Sequence, residues 1–112
     1  LLEEGIEAFK LMRDSGWTTY ISALTAGTSY RFSFSTSSSL WQSTTTKTFI
    51  DGRFDRTFAL YDVNRDSNDN ITTSGGTLDA DTKKLTVSVS WLKQGATTTR
   101  AISTYVTNLF DN

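Results

Sequence analysis

The sequence predicts an α+β fold in which an N-terminal amphipathic helix packs on an antiparallel β-sheet of about four strands. Two observations carry this prediction. Apolar residues recur at helical spacing near the beginning of the chain, and from residue 30 onward they alternate with polar residues, as in half-buried strands. Residues 1–112 have the length of one ordinary domain, so we expect them to share a single core.

The first predicted element is a helix over residues 1–14. At 100° per residue, its charged and apolar positions fall on opposite arcs. The apolar arc comprises Leu1, Leu2, Gly5, Ile6, Ala8, Phe9 and Met12. No capping residue precedes the helix, so we expect the helix of the natural protein to begin upstream of Leu1. The alternative is a natural start with a frayed first turn, which the acidic Glu3 and Glu4 would favour.

A second short helix is predicted over residues 17–24, where apolar side chains again recur at helical spacing. It follows a break at Asp14-Ser15-Gly16 and is expected to end near Gly27.

The apolar period then becomes two, which predicts a first strand at residues 30–35. The polar run at residues 35–39 is expected to form a surface loop. After this loop, Leu40 and Trp41 are expected to lie against apolar surface again.

A hairpin is predicted at Asp51-Gly52, because both residues tolerate a positive φ. The strands on either side are placed at residues 44–50 and 53–63. In the second strand, one face is expected to carry Phe54, Arg56, Phe58 and Leu60, and the other Ala59, Tyr61 and Val63.

The clearest alternation in the chain predicts a strand at residues 83–91. Its buried face is expected to carry Leu85, Val87, Val89 and Trp91. A long polar loop is expected before this strand, at residues 64–81. After it, Lys93-Gln94-Gly95 supplies a turn and residues 100–110 form the last strand, so the predicted sheet lies within residues 30–110.

Composition excludes several kinds of function. The chain contains no His and no Cys, which removes zinc sites of the usual kind, Ser-His-Asp triads, thiol nucleophiles and disulfides. Its 11 basic and 12 acidic residues lack the clustered cations that nucleic-acid binding requires. Four acids are candidates for a hydrolase, and each equally fits a turn or an exposed strand position: Asp51, Asp55, Asp62 and Asp79. We expect a non-enzymatic protein that binds no nucleic acid.

The polar segment that begins at Asp62 carries oxygen side chains at alternate positions, like the first ligands of a calcium loop. The candidate metal ligands are Asp62, Asn64, Asp66 and Asn68, with Asp79 or Asp81 available from across the loop. The match is incomplete, because Ser67 replaces the usual Gly, Thr73 replaces a bidentate Glu, and Arg65 adds positive charge. A calcium site and a solvated turn both remain open, and no other cofactor is expected.

Several segments resemble type IV pilin-like proteins, especially minor pilins and type II secretion pseudopilins. Leu2-Glu3-Glu4-Gly5-Ile6-Glu7-Ala8, followed by Met12-Arg13-Asp14 and Trp17, is similar to the part of their long helix that follows the membrane-spanning half. The segment from Gly75 to Trp91, with Asp79-Ala80-Asp81 in place of an Asp-Pro-Asp turn, and Thr104 to Asn108 resemble their C-terminal sheet. The resemblance leaves out residues 25–50.

This resemblance implies a structural subunit of a type IV pilus or a type II secretion filament. In that family a short basic leader is cleaved, the new N-terminal residue is methylated, and an apolar helix anchors the subunit in the inner membrane. The subunit then assembles with other pilin or pseudopilin subunits, in the periplasm or at the cell surface. Residues expected to contact neighbouring subunits are Leu1, Leu2, Ile6, Phe9 and Trp41.

A secreted or surface binding module, of a carbohydrate or adhesion type, is the second interpretation. Its Ser/Thr-rich strands would present the ligand site. The residues that the gene encodes before Leu1 distinguish the two, since a filament subunit needs a basic leader and about 20 apolar residues there, whereas a free module needs a conventional cleaved signal.

Overall fold

The computed structural model describes residues 1–47 and 49–109. Within these residues the chain forms one α-helix, α1 (Leu2–Ser15), a π-helical turn (Trp17–Ile21) and six strands. The strands are β1 (Arg31–Ser35), β2 (Leu40–Thr44), β3 (Asp55–Arg65), β4 (Ile71–Thr72), β5 (Thr77–Lys93) and β6 (Ala96–Thr107). The predicted α+β class, with an N-terminal helix and antiparallel sheets, is confirmed.

The described strands form two antiparallel sheets. β1 and β2 make a two-stranded hairpin, and the other four strands are ordered β4-β3-β5-β6. β5 and β6 pair without interruption from Lys93, opposite Ala96, to Thr82, opposite Thr107. Gln94 and Gly95 join them at positive φ, which gives a two-residue turn whose twist suits a hairpin. The predicted turn at these residues is confirmed.

The small sheet is fastened to the edge of β3 that faces away from β5. Tyr30 and Phe58 exchange two backbone hydrogen bonds, of 2.7 and 2.8 Å. The Arg31 guanidinium donates to both carboxylate oxygens of Asp55, at 3.0 and 3.1 Å. Because this ion pair is bidentate and mostly shielded from water, it joins the two sheets more firmly than an exposed pair.

The core lies between α1 and one face of the large sheet. Its buried residues are Phe9, Met12, Trp17, Ile21, Phe58, Leu60, Leu85, Val87 and Val106. The Phe58 ring connects the elements, since it meets Phe9 edge-on at 5.8 Å and stacks on Phe32 at 4.4 Å. The buried face predicted for residues 83–91 is confirmed at Leu85, Val87 and Val89, whereas Trp91 is only half-buried.

α1 approaches the sheet closely at Gly5. A Cβ atom added there would lie 2.8 Å from Cγ1 of Val87 and 3.2 Å from Cδ of Arg56. Val87 is fully buried and β-branched, so its methyl group has little room to move. The absence of a side chain at residue 5 therefore sets the distance between α1 and β5.

The second predicted helix forms only in part. Trp17–Ile21 is a π-helical turn, in which the Ser22 N–H donates to the Trp17 carbonyl at 2.8 Å. Three of its five residues are β-branched, which weakens helix propensity. The turn buries Trp17 and Ile21 against α1, and the chain leaves helical geometry before Leu24.

The strand predicted at residues 44–50 is wrong except at Thr44, the last residue of β2, and Thr48 lies outside the described residues. The strand lies earlier, at β2, where Trp41 pairs with Phe34 of β1 and their rings pack 5.3 Å apart. Asp51 and Gly52 do form the predicted turn at positive φ, but Ile50 makes only an isolated bridge with Phe54.

The loop predicted at residues 64–81 is partly strand. β3 continues to Arg65, β4 pairs with its end, and β5 begins at Thr77. Likewise, β6 begins four residues before the predicted start of the last strand. Phe110, its predicted end, lies outside the described residues.

A register shift changes which side chains are buried at the end of β3. Asp62 lies opposite Lys83, but the next residue, Val63, lies opposite Asp79. Residues 80–82 therefore have no partner in β3. Val63 is buried, only 3% exposed, and does not share the exposure of Tyr61 as simple alternation predicts.

Replacing Gly5 with Ala is expected to destabilise the protein although Ala favours helices. Overpacking against Val87 costs about 1–3 kcal/mol, and the gain in helix propensity is about 1 kcal/mol. A net loss near 1 kcal/mol corresponds to a fall in Tm of about 4 °C for a domain of this size. Thermal unfolding followed by circular dichroism measures it.

The Val87→Ala background provides the control for this prediction. Removing Cγ1 of Val87 relieves the contact, so Gly5→Ala should there become neutral or stabilising. In the Val89→Ala background, which truncates another buried valine of the same face, it should remain destabilising. Equal effects in both backgrounds would contradict the proposed close contact.

The Arg31–Asp55 ion pair predicts a pH dependence of stability. The hydrogen bond from Arg31 lowers the pKa of Asp55 below its ordinary value of 3.8. A lowered pKa in the folded state stabilises the fold above the ordinary pKa, and this stabilisation disappears as the pH falls through the folded-state pKa. Asp55→Asn should therefore cost about 1–2 kcal/mol at neutral pH and progressively less below about pH 4.

Urea unfolding at a series of pH values tests this prediction. Asp51→Asn is the matched control, because Asp51 is exposed in a turn where Asn also accepts a positive φ. A pH profile for Asp55→Asn parallel to that of the unmodified protein would count against the ion pair.

Candidate functional site

The expected subunit-contact residues do not share one environment. Leu1 is exposed, while Leu2, Ile6 and Trp41 are half-buried and pack against the core. Phe9 requires a correction, since it is fully buried against Phe58. Its side chain stabilises the core and is not available for a surface contact in this conformation.

Ile6 and Trp41 lie in an open groove of about 530 Å³ between α1 and β2. We call this surface the α1–β2 groove, and its lining residues are Glu3, Glu4, Ile6, Glu7, Ala8, Leu11 and Trp41. Most of the lining surface is apolar, and Leu11 is 53% exposed. An exposed apolar surface with a charged rim is typical of a site for another macromolecule.

The rim of the groove is acidic. Oε1 of Glu4 lies 3.5 Å from Nη1 of Arg56, and Oε1 of Glu7 lies 3.6 Å from Nζ of Lys10. Both glutamate side chains are about 70% exposed, so these ion pairs contribute little to stability and are easily exchanged for other partners.

Arg56 fixes the position of the groove. Its Nη1 donates to the carbonyl of Leu1 at 3.1 Å, and its guanidinium lies over the ring of Phe32 at 5.5 Å. Burial lowers the pKa of Arg56, an effect that the carboxylate of Glu4 opposes. Arg56 thus ties the first turn of α1 to β3 and β1.

Leu11 falls on the charged side of the predicted helix, and the sequence assigns it no role. In the structure Leu11 is the large apolar side chain exposed on that side, next to the glutamates. Its signal in the sequence was an apolar residue interrupting an otherwise charged arc. Phe34, which is 45% exposed beside Trp41, extends the apolar surface and was expected on a buried strand face.

The candidate calcium ligands are spread along the chain. Asp62 and Asn64 lie on β3, while Asp66 and Asn68 lie in the turn that follows. At the rise of a strand, residues 62–65 span about 10 Å, whereas the ligands of one calcium ion lie within about 5 Å of each other. The extended backbone therefore separates the two halves of the predicted ligand set.

Three of the four predicted ligands also make side-chain contacts within the fold. Nζ of Lys83 donates to Asp62 at 2.7 Å, and the Asn64 amide donates to the Gly75 carbonyl at 3.0 Å. Oδ1 of Asp66 accepts the N–H groups of Asn68 and Asn70, which closes the turn. Within residues 1–47 and 49–109, no group of three or more metal-ligating His, Cys, Asp or Glu side chains occurs.

Arg65 also supplies positive charge to this segment. Its Nε donates to Oδ2 of Asp79 at 2.7 Å, and the Thr82 hydroxyl donates to the same oxygen at 2.8 Å. The other oxygen accepts the Asp81 N–H at 3.0 Å. Hydrogen bonds from Arg65, then Thr82 and Asp81, lower the pKa of Asp79. Together these hydrogen bonds hold the irregular part of β5, where residues 80–82 have no partner in β3.

The carboxyl groups considered for hydrolysis have separate surroundings. Asp51 is in an exposed turn, Asp62 is paired with Lys83, and Asp55 and Asp79 are paired with arginines. The pKa values of Asp55 and Asp79 are lowered, whereas a general acid needs a raised pKa. The ion pairs of Asp55, Asp62 and Asp79 give these three carboxyl groups a role in stabilising the fold.

Calcium is expected to leave the stability of the protein unchanged, because binding would have to displace the contacts of Asp62 and Asp66. The measurement compares Tm with about 1 mM CaCl₂ and with EGTA, a calcium concentration at which even a weak extracellular module would be occupied. Magnesium at the same concentration controls for ionic strength. A saturable rise in Tm, lost in Asp66→Asn, would establish a calcium site.

Comparison with protein-family models, curated proteins and solved structures finds no match for this chain. Among the described residues, no helix is both long and apolar enough to cross a membrane.

Proposed function

We propose that this chain is the globular head of a type IV pilin-like subunit, a minor pilin or pseudopilin that serves a structural and non-enzymatic role. The resemblance of its first helix and its last strands to that family supports the proposal. The main supporting observation is that α1 makes contacts with the sheet on one side and lines an exposed groove on the other. One side is fixed to an antiparallel sheet through Gly5, Phe9 and Met12, and the other presents the α1–β2 groove.

In this proposal an apolar helix continues α1 upstream and anchors the subunit in the inner membrane before assembly. In the filament such helices pack against one another mainly by van der Waals contact. The head then lies at the periphery, and its contacts with neighbouring heads set the spacing of subunits. The partners are other pilin or pseudopilin subunits, and the α1–β2 groove supplies one of the contact surfaces.

A secreted carbohydrate-binding module is the second candidate, and one observation favours it. Tyr61, Lys84 and Tyr105 lie directly opposite one another across β3, β5 and β6. Both tyrosines are nearly half exposed, and two strand spacings place them about 10 Å apart. Exposed aromatic rings flanking a hydrogen-bond donor suit the stacking of sugars. The segment encoded before Leu1 distinguishes this candidate from the filament subunit.

The filament proposal predicts that Leu11→Glu prevents assembly without unfolding the head. The side chain is already exposed, so Tm should fall by less than about 2 °C, as for most surface substitutions. A fourth carboxylate, added to those of Glu3, Glu4 and Glu7, makes the groove unsuitable for an apolar contact. The measurement is the amount of the subunit in the fraction sheared from cells that carry the native gene, expected to fall about tenfold.

Leu78→Glu is the matched control, because Leu78 is 56% exposed and lies outside the groove. It should leave both the sheared and the membrane fractions unchanged. Equal recovery of both variants in the sheared fraction would contradict a role for the groove. Release of the unmodified protein into the medium, with no membrane-bound pool, would contradict the proposal itself and favour the secreted module.

A further inference from the structure

A second surface on the large sheet has the opposite charge to the groove. The Asp51–Gly52 turn and the β5–β6 hairpin enclose a cleft of about 540 Å³. We call it the hairpin cleft, and the residues that define it here are Lys47, Phe49, Arg53, Trp91 and Leu92. No feature of the fold accounts for the apolar surface that it leaves in contact with solvent.

The floor of the cleft is apolar and unusually exposed. Phe49 is 54% exposed and Leu92 is 73% exposed, the highest value among the exposed large hydrophobic residues of the described chain. Trp91 is half-buried, and its ring meets that of Phe54 at 6.0 Å. Exposing side chains of this size in one depression is unfavourable in water, so the cleft suits a partner that removes water from it.

The charged residues that line the cleft are two cations, Lys47 and Arg53, and one carboxylate, Asp55. Nζ of Lys47 lies 5.1 Å from the ring centre of Phe49, and the guanidinium carbon of Arg53 lies 5.0 Å from that of Phe54. Lys47 is also 3.9 Å from Asp55, but the carboxylate of Asp55 is occupied by Arg31. The two cations are thus held over aromatic rings with capacity for an additional anionic partner.

The exposed side of α1 has the complementary pattern. Glu3, Glu7 and Leu11 follow one another at a spacing of four residues, so they form one row along the helix, with steps of about 6 Å. All three are exposed. We call this row the α1 ridge. The ridge forms one side of the α1–β2 groove, and it carries two carboxylates followed by one large apolar side chain.

We propose that the hairpin cleft of one copy of this chain receives the α1 ridge of a second copy. The glutamates of the ridge pair with Lys47 and Arg53, and Leu11 contacts Phe49 and Leu92. The inference rests on the proposed function, for which it names the two surfaces that join neighbouring heads. Because ridge and cleft are different surfaces, each contact leaves one ridge and one cleft free, so that association is open-ended.

Charge reversal in purified protein tests the proposal. Sedimentation velocity at low salt, up to about 2 mM protein, should show a mass that rises with concentration beyond a dimer. Glu3→Lys/Glu7→Lys and Lys47→Glu/Arg53→Glu should each weaken association about tenfold or more. The quadruple variant should restore it, because both charge patterns are then exchanged. Lys84→Glu/Arg100→Glu, with the same change in net charge as the cleft variant, is the control and should behave as the unmodified protein.

A mixture of one-sided variants tests the geometry of the contact. Glu3→Lys/Glu7→Lys keeps an intact cleft, and Lys47→Ser/Arg53→Ser keeps an intact ridge. Mixed in equal amounts they should form a one-to-one dimer that grows no further. Any one of four outcomes would overturn the proposal. These are growth of the mixture beyond the dimer, association that survives both charge reversals, no restored association in the quadruple variant, and an unmodified protein that stays monomeric.

These measurements use the purified head, so their failure is separable from failure of the filament function. A head that stays monomeric in solution but is recovered in sheared filaments would retain the proposed function and lose the ridge-and-cleft contact. A head that associates in solution but is released from cells without a membrane-bound pool would lose the filament function alone.

Discussion

α1 can lie directly on β5 because residue 5 has no side chain to hold Val87 away. That distance determines how far Phe9 and Met12 reach into the space between helix and sheet, where both are fully buried. Burial of such a side chain stabilises a fold by about 1.5–3 kcal/mol. The distance between α1 and β5 also determines which side chains of the helix stay exposed. Because one side of the helix is fixed on the sheet, Glu3, Glu7 and Leu11 must face solvent. Core packing and the surface pattern of α1 are therefore consequences of one close contact.

Arginines organise the rest of the molecule. Arg56 ties the first turn of α1 to the sheet, Arg31 joins the small sheet to the large one, and Arg65 holds the irregular start of β5. The last of these lies in the segment for which the sequence leaves both a calcium site and a solvated turn open. A guanidinium already supplies the positive charge that Asp79 requires, and its planar donors match a carboxylate and neighbouring oxygens more closely than a point charge does.

The period of the apolar residues predicted the elements that keep the same kind of neighbour along their length. It failed where the pairing between strands changes. Leu85, Val87 and Val89 alternate with half-buried polar residues because one face of this stretch of β5 is buried in the core. At Asp62 three residues of β5 that have no partner in β3 shift the register, and from Val63 onward simple alternation no longer describes burial. β2 has too few apolar residues to be recognised, and it becomes a strand through the contact of Trp41 with Phe34. Strand pairing of this kind depends on contacts between neighbouring strands and is not encoded in the apolar spacing within one strand.

The proposed contact surfaces were harder to predict than the fold for a related reason. Ile6 could be selected because it lies on the apolar arc of the predicted helix, and Trp41 because it is an aromatic residue that follows a polar run. The hairpin cleft, in contrast, brings together Lys47, Arg53 and Leu92, of which Leu92 is distant from the other two in the sequence. A contact between such surfaces is weak by itself, since exposed ion pairs contribute about 0–1 kcal/mol. In the proposed filament the helices would already hold the heads beside one another, at effective concentrations near the millimolar range. A weak, directional contact is then sufficient to set the arrangement of heads, and it lets isolated heads separate before assembly.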